Sequence, residues 1–253
     1  MTRLLLLCSL VLALLIPMPG WAAPTLRDFD ENGGGAGATT VNSPAMTVVT
    51  GDLVIIACAN NSSQSITSIT GGGDTLTLLT ENATSAQRHV QAYKVNSSAN
   101  GSITYTCTFA ASASSREIHV WVINPNGSTF DATPDASLAT GLDPNSAAVN
   151  TGNITTTGSG DWVVVTSVYL DAGRTATLEA NNGVTAANQL DPGGSMISWQ
   201  TFHTSAFTNG AGTATLSAAT RWTANIVAFQ AASGGGGGPT CTGGLLLRGV
   251  GAC

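Results

Sequence analysis

Charge is scarce in this chain. Only 9% of its 253 residues are Asp, Glu, Lys or Arg, and 8 Lys+Arg stand against 14 Asp+Glu. A protein that tracks phosphates needs a basic face, so nucleic acid is excluded as a partner. A long charged helix or coiled coil is excluded as well, because its Glu, Lys and Arg are missing. Aromatics are scarce at 6%, and no Gly-x-Ser-x-Gly elbow, His-Glu-x-x-His pair or phosphate loop occurs. No C-x-x-C spacing supports a zinc site. Beyond residue 16 no apolar run approaches the roughly 18 residues that a membrane-spanning helix needs.

What is present points to a folded, exported chain. Hydrophobic residues make up 43%, too many for a disordered protein. Arg3, the apolar run Leu4–Ile16, the breakers Pro17, Pro19 and Gly20, and the small residues Ala22-Ala23 have the order of a secretory signal peptide over residues 1–23. The apolar run makes only about 20 Å of helix, short of a hydrocarbon core of roughly 30 Å. We therefore expect a secreted or cell-surface protein with no membrane span in its mature form.

Cleavage removes Cys8 and leaves Cys58, Cys107, Cys241 and Cys253, an even number suited to an oxidising compartment. Of the three pairings, Cys58–Cys107 within the domain and Cys241–Cys253 within the tail are favoured. Residues 24–44 read as an N-terminal linker and 45–232 as the folded domain. Residues 233–238 form a Gly linker, and 239–253 a Cys-containing tail that could be a disulfide loop, a docking tag or a processing signal.

Within 45–232 the sequence reads as strands. Ile103, Tyr105, Cys107 and Phe109 alternate with Ser102, Thr104, Thr106 and Thr108, the period of a half-buried antiparallel strand. Leu53–Cys58 is apolar on both faces, as a central strand would be. Strands are predicted near 52–59, 65–70, 75–80, 87–95, 101–109 and 116–123. A second set follows, because Gly51-Asp52-Leu53-Val54-Ile55-Ile56 matches Gly160-Asp161-Trp162-Val163-Val164-Val165, and Cys58 falls on Ser167 as Cys107 falls on Leu216. Two similar halves, about 45–130 and 150–232, result. The joining segment has no Gly/Pro linker of the 234–238 kind, which favours one jelly-roll-like antiparallel β-sandwich over two immunoglobulin-like sandwiches in tandem.

These phrases, with Tyr93-Lys94-Val95 and Ala214–Trp222, resemble a widespread group of secreted bacterial and phage-associated β-sandwich domains. The resemblance covers about residues 45–231. It implies a fold and carries no catalytic residues.

Chemistry is thinly spread. Glu117, His119 and Trp121 share one strand face, and Trp199, Thr201 and His203 another. Such faces suit either solvent or a small polar site. Trp199 and Trp121, with polar alternate neighbours, are the best candidates for exposed aromatics that stack on sugar rings beside His203 and His119; the rival reading makes them rim aromatics that seal the sandwich. Asp28, Asp30, Asn32 and Gly33 copy the opening of a calcium loop, although Thr39 stands where a bidentate Glu is expected. Asn-x-Ser/Thr sequons at Asn61, Asn82, Asn96, Asn100, Asn126 and Asn153 would accept glycans in a eukaryote. The leading expectation is a non-catalytic extracellular binding or surface-structural module for a glycan or cell-surface polymer, requiring no cofactor. The alternatives are a hydrolase using the Glu117/His119 face and a self-assembling surface or phage-appendage subunit.

Overall fold

The computed structural model describes residues 22–232 except 36, 74, 98–100, 171–174 and 180–195, with side chains 139 and 141–144 also left aside. Residues 1–21 of the signal segment, the Gly linker, Cys241, Cys253 and the sequon at Asn100 lie outside the described residues.

The described chain is all-β and contains no helix. In order the strands are β1 (Thr25–Gly34), β2 (Ala38–Val48), β3 (Leu53–Asn60), β4 (Ile66–Thr70) and β5 (Thr77–Leu78). Then come β6 (Asn82–Ala83), β7 (Arg88–Val95), β8 (Gly101–Ala113), β9 (Arg116–Asn124) and β10 (Thr129–Phe130). The last five are β11 (Ala136–Asn150), β12 (Asp161–Tyr169), β13 (Ala176–Glu179), β14 (Met196–His203) and β15 (Thr213–Ala232). All six strands expected between 52 and 123 are present.

They form three antiparallel sheets. The first has six strands, in the order β1-β9-β3-β7-β5 with β6 also on β7. The second, also of six, runs β10-β15-β12-β14, with β11 and β13 paired to β15. The third is β2-β8-β4. β3 is held between β9 and β7, and β12 between β15 and β14, so the two strands that open on Gly-Asp each occupy an interior position.

Layering explains why β3 and β12 are apolar throughout. Val54, Ile56 and Cys58 face Tyr105, Cys107 and Phe109 of the three-stranded sheet. The alternate residues Leu53, Ile55 and Ala57 face Trp162, Val164 and Phe229 of the second six-stranded sheet. β12 repeats this, with Val163 and Val165 against Val149, Ala214 and Leu216, where the two long strands β11 and β15 fold over. Every residue of β3 and β12 is buried. A strand covered on both faces cannot show polar alternation.

Cys58 and Cys107 form a disulfide with Cα atoms 6.2 Å apart, joining β3 to β8 across the first core. In the second core Leu216 is buried, and Ser167 donates to the Thr223 carbonyl at 3.0 Å.

The expected linker 24–44 is instead β1 and most of β2. Leu26 and Phe29 of β1 pack on the central core, and the strand sits at a sheet edge, where charged residues are tolerated. That edge also disposes of the calcium loop. Asp28 accepts from the Thr47 amide at 2.7 Å, Asp30 from the Glu31 amide at 2.8 Å, and Asn32 donates to the Asn42 carbonyl at 2.8 Å. An extended strand spreads the three about two residues apart along a line, where a calcium loop curls its ligands around one ion. Among the described residues no group of three His, Cys, Asp or Glu side chains is placed to hold a metal ion.

Candidate functional site

The two six-stranded sheets meet face to face, and the meeting surface is divided. One end is apolar, built from Leu53, Ile55, Tyr93, Trp121, Trp162 and Phe229. At the other end β7, β9, β12, β14 and β15 turn His89, Gln91, His119, Thr166, Ser198, Thr223 and Asn225 inward, all buried. The same alternation that points Val90 and Ala92 into the first core points His89 and Gln91 into this seam.

The polar groups are paired across it. His119 Nδ1 lies 2.8 Å from Ser198 Oγ, and its Nε2 lies 3.3 Å from Glu31 Oε2. His89 Nε2 is 2.7 Å from Thr166 Oγ1, to which Gln91 Nε2 also donates at 3.1 Å. Asn82 donates to the Ala224 carbonyl at 3.3 Å, and Asn61 to the Tyr169 carbonyl at 3.1 Å. Burial of the imidazole drives the pKa of His89 down to about 3. Burial does the same to His119, also to about 3, with His89 adding to it. Both rings are neutral at pH 7. Glu31 works against the shift at His119, since a carboxylate beside Nε2 favours a proton there.

The sugar-stacking positions are corrected by this geometry. Trp121 is 0% and Trp199 1% exposed. Each shares a strand face with polar neighbours, as alternation requires, yet that face is covered. Trp121 packs in the central layer beside Phe29, with ring centroids 5.3 Å apart. Trp199 packs in the second core with Val165 and Trp222. His119 is sealed in the seam, while His203 is partly exposed at the end of β14, its ring 4.6 Å from that of Phe207. The four residues do not converge. Three of the sequons are packing residues as well: Asn82 and Asn96 are buried, and Asn61 bridges to β12.

What the sequence did not indicate is a cleft where the seam reaches the surface. It has a volume of about 260 Å³ and is lined by Leu79, Thr80, Gln91, Ser137, Leu138, Asn225 and Ile226. Among the described residues no ionisable side chain lines it. Gln91 and Asn225 are 1% and 2% exposed, whereas Leu138 is 38% exposed at the rim. Clefts between packed layers are frequent ligand sites.

Fold and site define an all-β protein of layered antiparallel sheets, with a sealed polar seam and an uncharged cleft at its edge. Comparison with family models, curated proteins and solved structures found no match to this chain.

Proposed function

We propose that the protein is a secreted, non-catalytic binding module whose ligand is a neutral glycan or cell-surface polymer. The observation that carries this reading is the contrast between seam and cleft. The seam brings together a hydroxyl, an imidazole and a carboxylate in Ser198, His119 and Glu31, but Ser198 is wholly buried. A base with a pKa near 3 is also a poor proton acceptor at neutral pH. The cleft, open to solvent, offers amides, hydroxyls and aliphatic carbon, which suit recognition of an uncharged ligand. The Cys58–Cys107 disulfide supports an oxidising compartment. The test is a binding screen of the full chain against glycans and cell-wall polymers, and retention on at least one neutral member is expected.

The Glu31–His119–Ser198 constellation favours one second reading, a serine hydrolase that acts when the sheets part. A fluorophosphonate probe distinguishes the two: covalent labelling of Ser198 in the folded protein would replace the binding reading with the hydrolase.

A further inference from the structure

We infer that the cleft between the two six-stranded sheets is a binding site for one neutral hexose unit, an inference that rests on the binding-module reading and gives it a location.

The argument starts from two amides at the cleft floor. Among the described residues, the Gln91 side chain makes one hydrogen bond, from Nε2 to Thr166 Oγ1 at 3.1 Å. Its Oε1 is left as an acceptor with no protein partner. Asn225 uses Oδ1 to accept from Asn82 Nδ2 at 3.4 Å, which leaves its own Nδ2 as a donor. Both residues are more than nine-tenths buried and both line the cleft. Buried amides normally use their bonding capacity. One acceptor and one donor, from β7 and β15, therefore face the same space.

A sugar hydroxyl both donates and accepts, so adjacent hydroxyls on a ring can serve that couple together. Thr80 and Ser137 add two exposed hydroxyls beside it. Leu79 and Leu138 provide aliphatic carbon for the C–H face of a ring, while the Ile226 side chain is buried in the second core. The described lining residues include no Lys or Arg to neutralise a phosphate or carboxylate and no acid to hold an amine. A volume of about 260 Å³ falls below the roughly 300–1,000 Å³ of sites for drug-sized ligands, so one ring fits where an extended oligomer does not. The rest of a chain would leave over the rim at Leu138.

The experiment is an NMR titration of the full chain with glucose, galactose, mannose and N-acetylglucosamine, their short oligomers, and glucuronic acid as the charged counterpart. Leu138→Trp fills the mouth of the cleft from an exposed position. Val49→Trp, at an exposed apolar residue that does not line the cleft, is the control. A neutral sugar should bind, shifting the amides of Leu79, Thr80, Ser137 and Leu138. Leu138→Trp should weaken it at least about tenfold, while Val49→Trp and glucuronic acid should respectively leave it intact and fail to compete. Binding of equal strength in Leu138→Trp would overturn the cleft site and leave the binding-module reading standing. No binding by any sugar, oligomer or cell-wall polymer would overturn both.

Discussion

His119 Nδ1 sits 2.8 Å from Ser198 Oγ across the junction of the two six-stranded sheets, so a histidine of β9 is bonded to a serine of β14 from the opposite layer. His89 and Thr166 repeat the arrangement 2.7 Å apart. The sheets are thus joined partly by neutral imidazoles, and this makes the junction sensitive to acid. Both rings have folded pKa values near 3 against an ordinary 6.5. Above pH 6.5 neither folded nor unfolded chain takes up these protons. Below it the unfolded chain does and the folded chain does not, so stability falls as pH falls through the window from 6.5 to about 3. Each ring contributes a slope of about 1.4 kcal/mol per pH unit. At His119 the neighbouring His89 adds to the effect of burial. Urea unfolding at pH 7 and pH 5 should show a clear loss of stability, and His89→Gln with His119→Gln should flatten the dependence even though it lowers the starting value. An unchanged slope in that double variant would contradict the sealed, neutral seam.

The disulfide makes a separate prediction. Cys58 and Cys107 are 49 residues apart and close a loop that contains β4 through β7. Loop-closure entropy for that length corresponds to about 4 kcal/mol. The Cys58→Ala/Cys107→Ala variant should unfold at about 8–16 °C below the native protein by calorimetry, taking about 2–4 °C per kcal/mol for this chain length. A shift under a few degrees would mean that the first core already constrains the unfolded loop.

Much of the first half was legible because period-two patterning dominates it. Tyr105, Cys107 and Phe109 are buried while Thr104 and Ala110 are exposed, as alternation from Ile103 to Phe109 requires. Patterning assigns residues to faces without saying what covers each face. Glu117, His119 and Trp121 do share a face, yet a whole second sheet covers it, and nothing local to β9 signals that. β1 was missed because Asp28, Asp30 and Asn32 look like a loop until β2 supplies partners for Asp28 and Asn32. The cleft joins Gln91 to Asn225, far apart in the chain, and only the meeting of β7 with β15 brings them together.

Trp199 provides a test of which layer matters. Its ring is 1% exposed in the second core, and a Cβ added to Gly212 would come within 3.0 Å of its Cζ2 and 2.5 Å of Val165. Trp199→Ala should therefore cost about 3–5 kcal/mol of stability through the cavity it leaves. Gly212→Ala should destabilise by overpacking the same spot, typically by about 1–3 kcal/mol. Both are measured by chemical denaturation. A Trp199→Ala protein of native stability would contradict the burial and return the residue to the surface.

Asp52 and Asp161 open β3 and β12 in the same sequence context but are held differently. Asp52 accepts from Arg27 Nε at 2.7 Å and Nη2 at 3.0 Å, and from the Val49 amide at 2.8 Å. Asp161 has the Thr156 hydroxyl at 2.6 Å, and its Oδ1 is buried with no partner among the described residues. Burial raises the Asp161 carboxyl, a penalty the Thr156 bond only partly offsets. Its contribution to stability is therefore present at low pH and lost as pH rises through the raised pKa. Removing the charge should thus have opposite consequences at the two positions. Asp52→Asn gives up a charge-assisted pair and should cost about 2 kcal/mol, a figure moderated by the partial exposure of Arg27. Asp161→Asn keeps an oxygen for Thr156 and relieves the buried charge, so its effect at pH 7 should lie within about 1 kcal/mol of zero, on the stabilising side if anything. Denaturation of the two single variants under identical conditions measures the difference, and equal losses would show that Arg27 does not distinguish the two turns.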